Sequence, residues 1–97
     1  MAPVRVGGQV QAAKLIFHPQ LEYPAIAKEA GVEGLVRLRA VINKDGTIKD
    51  LKIINGHRLL AGAAVDGVRH WRYQPTLLDG APIEVETEID VDFKLPH

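Results

Sequence analysis

The stretch Ile83-Glu-Val-Glu-Thr-Glu-Ile-Asp-Val-Asp-Phe-Lys-Leu95 carries the clearest pattern in the sequence. Acidic residues occupy every second position from residue 84 to residue 92, and apolar residues or threonine fill the positions between them. Because side chains alternate between the two faces of a strand, this pattern predicts a strand with one solvated face and one core face. The rest of the core must therefore pack against one side of this strand.

Two further strands are predicted upstream of this stretch. Apolar residues alternate from Leu35 to Ile42, and Gly46 lies in a loop typical of a β-hairpin. The second strand of the hairpin runs from Thr47 to Ile54. Its apolar alternation changes phase partway, and a bulge near Lys49–Asp50 would restore the phase, because one extra residue reverses which face a side chain occupies.

Two helices complete the predicted fold. Pro24 opens a short helix that ends near Gly31, and apolar residues recur at helical spacing from Arg58 to Trp71. The order helix, strand, strand, helix, strand predicts an α+β domain. We expect a three-stranded antiparallel sheet of order 2-1-3, with both helices on one face and a right-handed crossover.

The outer face of that sheet and the beginning of the chain complete the prediction. Arg37 and Arg39 would lie beside the acidic row on the exposed face, where cross-strand ion pairs can form. Residues 1–17 are expected to be a lead-in or a short peripheral strand that is extra to the sheet. Residues 18–97 are expected to form the domain itself.

Composition excludes several classes of function. The chain has 97 residues, 46% of them hydrophobic and 25% charged, which is typical of one globular domain. It contains no cysteine and no serine, which excludes thiolate, zinc–sulfur and serine-hydrolase chemistry. The formal net charge is zero, which argues against a nucleic-acid partner. No apolar run is long enough for a membrane helix.

Metal and cofactor sites are not predicted. The alternating acids point in parallel from one strand face, with neighbours about 6.5–7 Å apart along the strand, so they do not converge on one ion. Four histidines show no ligand spacing: His18, His57, His70 and His97. No nucleophile, base and orienting group occur together, so we expect neither an enzyme nor a cofactor. An edge strand, by contrast, can bind another chain by strand addition without any catalytic residue.

An ordered set of residues resembles the C-terminal domain of TonB-family energy transducers over about residues 18–95. The set comprises Tyr23–Pro24, Ala27, Gly31 to Gly34, Asp45–Gly46, Asn55 to His57, Leu60, Ala63–Ala64, Trp71 to Tyr73, Pro75, Asp79–Gly80, Pro82 and Phe93. No single motif decides the match, but the whole series in this order is specific.

The resemblance implies a function as well as a fold. Family members are periplasmic domains tethered to the inner membrane, and they bind the TonB box of outer-membrane receptors by β-augmentation. An inner-membrane motor driven by the proton-motive force then powers import of siderophores or other nutrients. We expect the anchor to lie outside these 97 residues. The partner-binding residues carried over are Tyr23, Pro24, Glu84, Val85, Glu86, Thr87, Glu88, Ile89, Asp90, Val91, Asp92 and Phe93.

Three alternatives stay open at this point. The domain could serve another envelope protein as a TonB-like protein-interaction or cell-wall-binding module. A small acyl-phosphate hydrolase would require an arginine–asparagine pair, for which Arg58 and Asn55 are the nearest candidates. An exposed edge would also permit a homodimer. Finally, if the segment Val4–Ile16 paired with the last strand, it would mask the predicted receptor site.

Overall fold

The computed structural model describes residues 2–96, so Met1 and His97, the outer ends of the two predicted ranges, lie outside it. The chain forms an α+β domain, as predicted. Its elements are β1 (Val4–Arg5), α1 (Gly8–Ala12), β2 (Leu15–Phe17), α2 (Ala25–Glu29), β3 (Gly34–Ile42), β4 (Ile48–Asn55), α3 (Arg58–Val68), β5 (Arg72–Tyr73), β6 (Thr76–Leu78), β7 (Ala81–Ile83) and β8 (Val85–Phe93).

The main sheet has four strands in the order β1-β8-β3-β4. Strand β3 runs antiparallel to both of its long neighbours, and its register with β8 extends from Gly34 opposite Phe93 to Ile42 opposite Val85. Strand β1 adds to the outer edge of β8 in parallel orientation. The prediction of three antiparallel strands, with a possible extra short N-terminal strand, is thus corrected to a mixed sheet of four, in which β1 is the added strand and runs parallel to β8.

Two irregularities shape β4. Val41 lies opposite Asp50 and Ile42 lies opposite Ile48, so Lys49 is the extra residue of a bulge. This is the bulge that the phase of the apolar residues predicted. A second register shift lies near the end of β4, where Arg37 of β3 is opposite Asn55 but Leu38 is opposite Ile53. This shift was not predicted.

The core lies between the sheet and the helices α2 and α3. It is formed by buried residues from both layers: Ala27, Val36, Leu38, Ala40, Ile42, Leu60, Ala64, Val68, Tyr73, Val85, Ile89, Val91 and Phe93. His57 is the N-cap of α3, and its Nδ1 accepts a hydrogen bond from the Leu59 N–H at 3.1 Å. The helix ends at Val68, three residues before the predicted Trp71, because the chain turns there to pair β5 with β2.

Short elements account for the other differences from the predicted fold. In residues 2–17, where a lead-in or a short peripheral strand was expected, the structure has β1, α1 and β2. The predicted strand Ile83–Leu95 is divided, since Ile83 belongs to the hairpin β6–β7 and β8 starts at Val85. Asp79 and Gly80 turn that hairpin with φ of 51° and 81°. Among residues 2–96, no helix has the length and apolarity needed to cross a membrane.

Candidate peptide-binding edge

Strand β8 presents different chemistry on its two faces. Its side chains at 85, 87, 89, 91 and 93 are buried, while those between them are partly or fully exposed. Most of the buried side chains are apolar and join the core, which fixes the strand's orientation. Thr87 is the polar exception, and it is 4% exposed.

The acidic row on the outer face is paired with cations, as the sequence predicted. Arg37 makes a two-pronged contact with Asp90, with Nε to Oδ1 at 2.8 Å and Nη2 to Oδ2 at 3.2 Å. Arg39 Nε lies 3.5 Å from Glu86 Oε1, and Lys49 Nζ lies 3.2 Å from Glu84 Oε2. These pairs hold β8 and the residue before it to β3 and β4 on the solvent side.

The Arg37–Asp90 pair changes the ionisation of both partners. The hydrogen bond from Arg37 lowers the pKa of Asp90, and the hydrogen bond to Asp90 raises the pKa of Arg37. Both side chains are about 45% exposed, so solvent and salt screen the pair. The pair therefore orients the two side chains on the sheet surface and contributes little to the free energy of unfolding.

The outer edge of β8 is covered over only part of its length. The N–H groups of Val4 and Val6 donate to the carbonyls of Glu84 and Glu86 at 3.0 and 2.9 Å. The Thr87 hydroxyl donates to the Val6 carbonyl at 2.8 Å. The segment Val4–Ile16 was predicted to mask this edge if it paired there, and the pairing occurs at its first residues only.

Backbone groups further along β8 lack a strand partner within residues 2–96. Successive residues of a strand direct their N–H and C=O groups to opposite sides, so Glu88, Asp90 and Asp92 face the same edge as Glu84 and Glu86. No strand is paired with β8 on that side beyond Glu86. We call the outward backbone groups of Glu88, Asp90 and Asp92 the open edge.

Helix α1 lies beside the start of the open edge. A Cβ added to Gly8 would come within 2.8 Å of the Glu88 carbonyl oxygen, so only glycine allows this approach. A cavity of about 420 Å³ separates α1 from the middle of β8 and is lined by Gly8, Ala12, Trp71 and Ile89 among others. The first position of the open edge is thus already crowded.

The two residues carried over from the family's YP motif are in different surroundings. The Tyr23 ring meets the Phe93 ring edge-on at 5.5 Å between centroids, and its hydroxyl donates to the Val32 carbonyl. Burial raises the pKa of Tyr23, and the charge of Glu33 adds to the effect. Tyr23 also lines a cavity of about 230 Å³ beside Val91 and Asp92. It therefore belongs with the end of β8.

Pro24 lines a different cavity from Tyr23. It is the N-cap of α2 and lines a groove of about 650 Å³ between α2 and α3, with Ile26, Leu59 and Gly62 among its neighbours. The alternative arginine candidate, Arg58, lines the same groove. No group of three metal-ligating side chains occurs in the part of the chain that the structure describes.

Sequence reasoning named the segment Val4–Ile16 as a possible cover for the edge but did not single out the residues that make the contact. Val4, Val6 and Gly8 are weak signals by themselves, since two valines and a glycine pair suit many loops. Their role appears only when β1 is seen beside β8. Two valines around Arg5 are too short a run to establish a strand period.

Comparisons with known proteins agree on one family. The sequence model described as "Gram-negative bacterial TonB protein C-terminal" matches residues 19–95. The chain is 28% identical over 95 residues to Protein TonB of Vibrio cholerae serotype O1, across 96% of the chain and 35% of that protein. It is 31% identical over 85 residues to Protein tonB2 of Pseudomonas aeruginosa, across 86% of the chain and 32% of that protein.

Solved structures show the same fold. The solution structure of the Pseudomonas aeruginosa TonB C-terminal domain superimposes with a TM-score of 0.72 at 23% identity, covering 87% of each chain. The tonb2 protein of Vibrio anguillarum superimposes with a TM-score of 0.65 at 30% identity, covering 90% of this chain and 85% of that one. The chain spans about a third of the length of the two relatives compared by sequence.

Proposed function

The chain belongs to the family of Gram-negative bacterial TonB C-terminal domains, and we propose that it binds an extended segment of an outer-membrane receptor along the edge of β8. Members of this family are not enzymes, which confirms the prediction that the chain is not one. The proposed role is mechanical: the domain holds a receptor segment so that force can reach the receptor.

The open edge carries this proposal. Its unpaired N–H and C=O groups can form a ladder with any extended chain, whatever the side chains of that chain. Strand β8 itself is fixed by nine residue pairs with β3, from Gly34↔Phe93 to Ile42↔Val85. An added strand would therefore join a rigid sheet rather than a flexible loop.

Side chains around the open edge provide selectivity. Side chains of an added strand alternate between the two faces of the sheet. On the helix side they would meet the cavity beside Tyr23 and Val91, which suits a small apolar group. On the outer side they would lie near Asp90 and Asp92, about half exposed, which favours basic or neutral groups over acids.

The setting of the whole protein is also part of the proposal. A TonB-type transducer works in the periplasm, tethered to the inner membrane and driven there by a proton-powered motor. Relatives about three times as long as this chain would have room for an anchor and a spacer outside the domain. Import of siderophores or another nutrient is the outcome we propose for the full-length protein.

A matched pair of variants tests binding at the open edge. Asp92→Pro removes an outward N–H, and proline is tolerated on edge strands where the N–H faces solvent. Asp92→Asn removes the same charge but keeps the N–H. In titrations with a panel of receptor N-terminal peptides and scrambled controls, we expect Asp92→Asn to bind within about threefold of the parent and Asp92→Pro to bind about tenfold or more weakly.

The same titration contains the outcomes that would contradict the proposal. Equal affinity of Asp92→Pro and Asp92→Asn would show that the ladder at residue 92 is not used. Binding of cell-wall glycan fragments in place of every peptide would favour the other envelope function. Circular dichroism of both variants checks that a loss of binding does not come from unfolding.

A further inference from the structure

We propose that residues 4–12, here called the N-terminal strap, are a built-in occupant of the β8 edge that a receptor segment must displace to bind along the strand's full length. This inference concerns regulation of the proposed receptor site and rests on that function. The strap comprises β1 and α1, which are continuous in the chain and lie against the same strand.

The strap binds the edge in the way that an added strand would. Val4 and Val6 donate backbone hydrogen bonds to Glu84 and Glu86, and Thr87 closes the ladder with its hydroxyl on the Val6 carbonyl. Val6 also packs against the core. These are the groups that a partner strand would need at the same positions.

The strap leaves only a short length of edge free. The pairing with β1 ends at Glu86. Gly8 lies against the carbonyl of the next outward residue, Glu88, and the outward groups of Asp90 and Asp92 follow. The free part spans about five residues, or about 17 Å at the usual rise per strand residue. A partner strand that also paired with Val85 and Glu86 would occupy the place of β1.

The strap is attached less firmly than the strand it covers. β1 has only two residues, and Val4 is 39% exposed. Within α1, the Gln11 side chain is 1% exposed, yet neither its Nε2 nor its Oε1 has a partner within the described residues. A buried amide without hydrogen bonds opposes the closed position, because release would return it to water.

The chain just after the strap is fixed independently of it. The Lys14 carbonyl accepts from the Gln74 N–H at 2.7 Å, and Lys14 Nζ donates to Thr76 Oγ1 at 3.0 Å. Strand β2 then pairs with β5. The strap can therefore leave β8 by rotation near Ala13 while the pairing of β2 with β5 stays in place. The apparent affinity for a competing strand is then its intrinsic affinity multiplied by the fraction of molecules in which the strap is open.

A reversible disulfide in the full chain tests the closed state. Arg5 and Glu86 are partners in the β1–β8 register, and the chain has no cysteine of its own. In Arg5→Cys/Glu86→Cys, oxidation should lock the strap and reduction should release it. We expect receptor peptides to bind the oxidised form about tenfold or more weakly than the reduced form. The single variant Arg5→Cys, treated identically, controls for the oxidant.

Two glycine variants test the open state. Gly8→Ala should push α1 from the Glu88 carbonyl, whereas Gly7→Ala adds a methyl group that meets nothing within 4 Å. We expect Gly8→Ala to bind peptides several-fold more tightly and Gly7→Ala to match the parent within about twofold. Faster amide exchange at Val4 and Val6 in Gly8→Ala, with an unfolding midpoint that falls only slightly, would show that only the strap has opened.

A peptide of residues 2–8 added to Gly8→Ala separates failure of the strap from failure of the receptor proposal. Binding of this peptide, with no receptor peptide bound, would support the strap and contradict the receptor function. Equal receptor binding by the oxidised and reduced forms would overturn the strap and leave that function standing. Failure of the disulfide to form would overturn the pairing itself, and no binding by any peptide would overturn both.

Discussion

At the scale of single residues, two glycines in α3 show why a propensity needs its packing context. Glycine inside a helix lowers helix stability relative to alanine, and close packing is one reason to have it at Gly62 and Gly67. A Cβ at Gly67 would lie 1.7 Å from Leu21 Cδ2, so this glycine does make room for a neighbour. A Cβ at Gly62 would meet nothing within 4 Å, so close packing does not account for that glycine.

We therefore expect opposite effects from the same substitution. Gly62→Ala should raise the free energy of unfolding by up to about 1 kcal/mol, the difference in helix propensity. Gly67→Ala should lower the free energy of unfolding by about 1 kcal/mol or more, because the Leu21 side chain that packs against Gly67 must move aside. Urea unfolding of both variants measures the difference. A gain of stability in Gly67→Ala would show that Leu21 moves without loss.

Asp90 gives a prediction about pH. Its pKa is lowered in the folded state by the hydrogen bond from Arg37. Its contribution to stability is therefore present above the usual aspartate pKa of about 3.9 and is lost as the pH falls through the lower folded value. We expect the parent to be more stable than Asp90→Asn at pH 7 and the difference to shrink as the pH falls below about 4.

Unfolding of both proteins by urea at several pH values measures this difference. Asp92→Asn is the matched control, because Asp92 lies on the same strand face and its ion pair is with Lys94 instead of Arg37. A difference between the parent and Asp90→Asn that grows toward pH 3 would contradict the assignment. High salt should shrink the difference at pH 7, since the pair is exposed.

At the scale of secondary-structure elements, the sequence predicts the elements that are long enough to show a periodic pattern of apolar residues. Strand β8 has nine alternating residues and β4 has a break in phase, so the strand and the bulge could both be recognised. Strands β1 and β5 have two residues each and owe their pairing to β8 and β2, which are distant in sequence. Such elements carry no period of their own, so only the assembled fold reveals them.

The hairpin loop between β3 and β4 owes its position to such a distant contact. The Gly46 carbonyl accepts from the Tyr73 N–H at 2.9 Å, and a Cβ at Gly46 would lie 1.9 Å from the Tyr73 carbonyl oxygen. The Tyr73 side chain is buried, and burial raises its pKa to about 12. The loop is therefore fixed against the backbone of β5 and not only by its own turn.

Alanine at Gly46 should separate this contact from backbone strain. Gly46 has φ of 89° and Gly80 has φ of 81°, but a Cβ at Gly80 would meet nothing within 4 Å. We expect Gly80→Ala to lower the free energy of unfolding by about 1–2 kcal/mol from strain alone. Gly46→Ala should lower the free energy of unfolding by about 1–3 kcal/mol more than Gly80→Ala does, because of overpacking. Equal losses in urea unfolding would show that the Tyr73 contact is not required.

At the scale of the whole molecule, the domain is a sheet with one edge partly covered and partly open. The sequence predicted the strand that forms this edge and raised the question of its masking. It could not answer that question, because coverage depends on where β1 and α1 pack after folding. Tyr23 illustrates the same limit: its motif was visible, but its place beside Phe93 and apart from Pro24 was not. Receptor, nutrient and any homodimer stay predictions at this scale.

The most direct test of strand addition is amide hydrogen exchange at the open edge, measured by NMR on the full chain with and without a saturating receptor peptide. Exchange at Asp90 and Asp92 should be fast in the free protein and markedly slower in the complex, because the added strand accepts hydrogen bonds from both N–H groups. A peptide that binds at saturation yet leaves both exchange rates unchanged would contradict binding along the β8 edge.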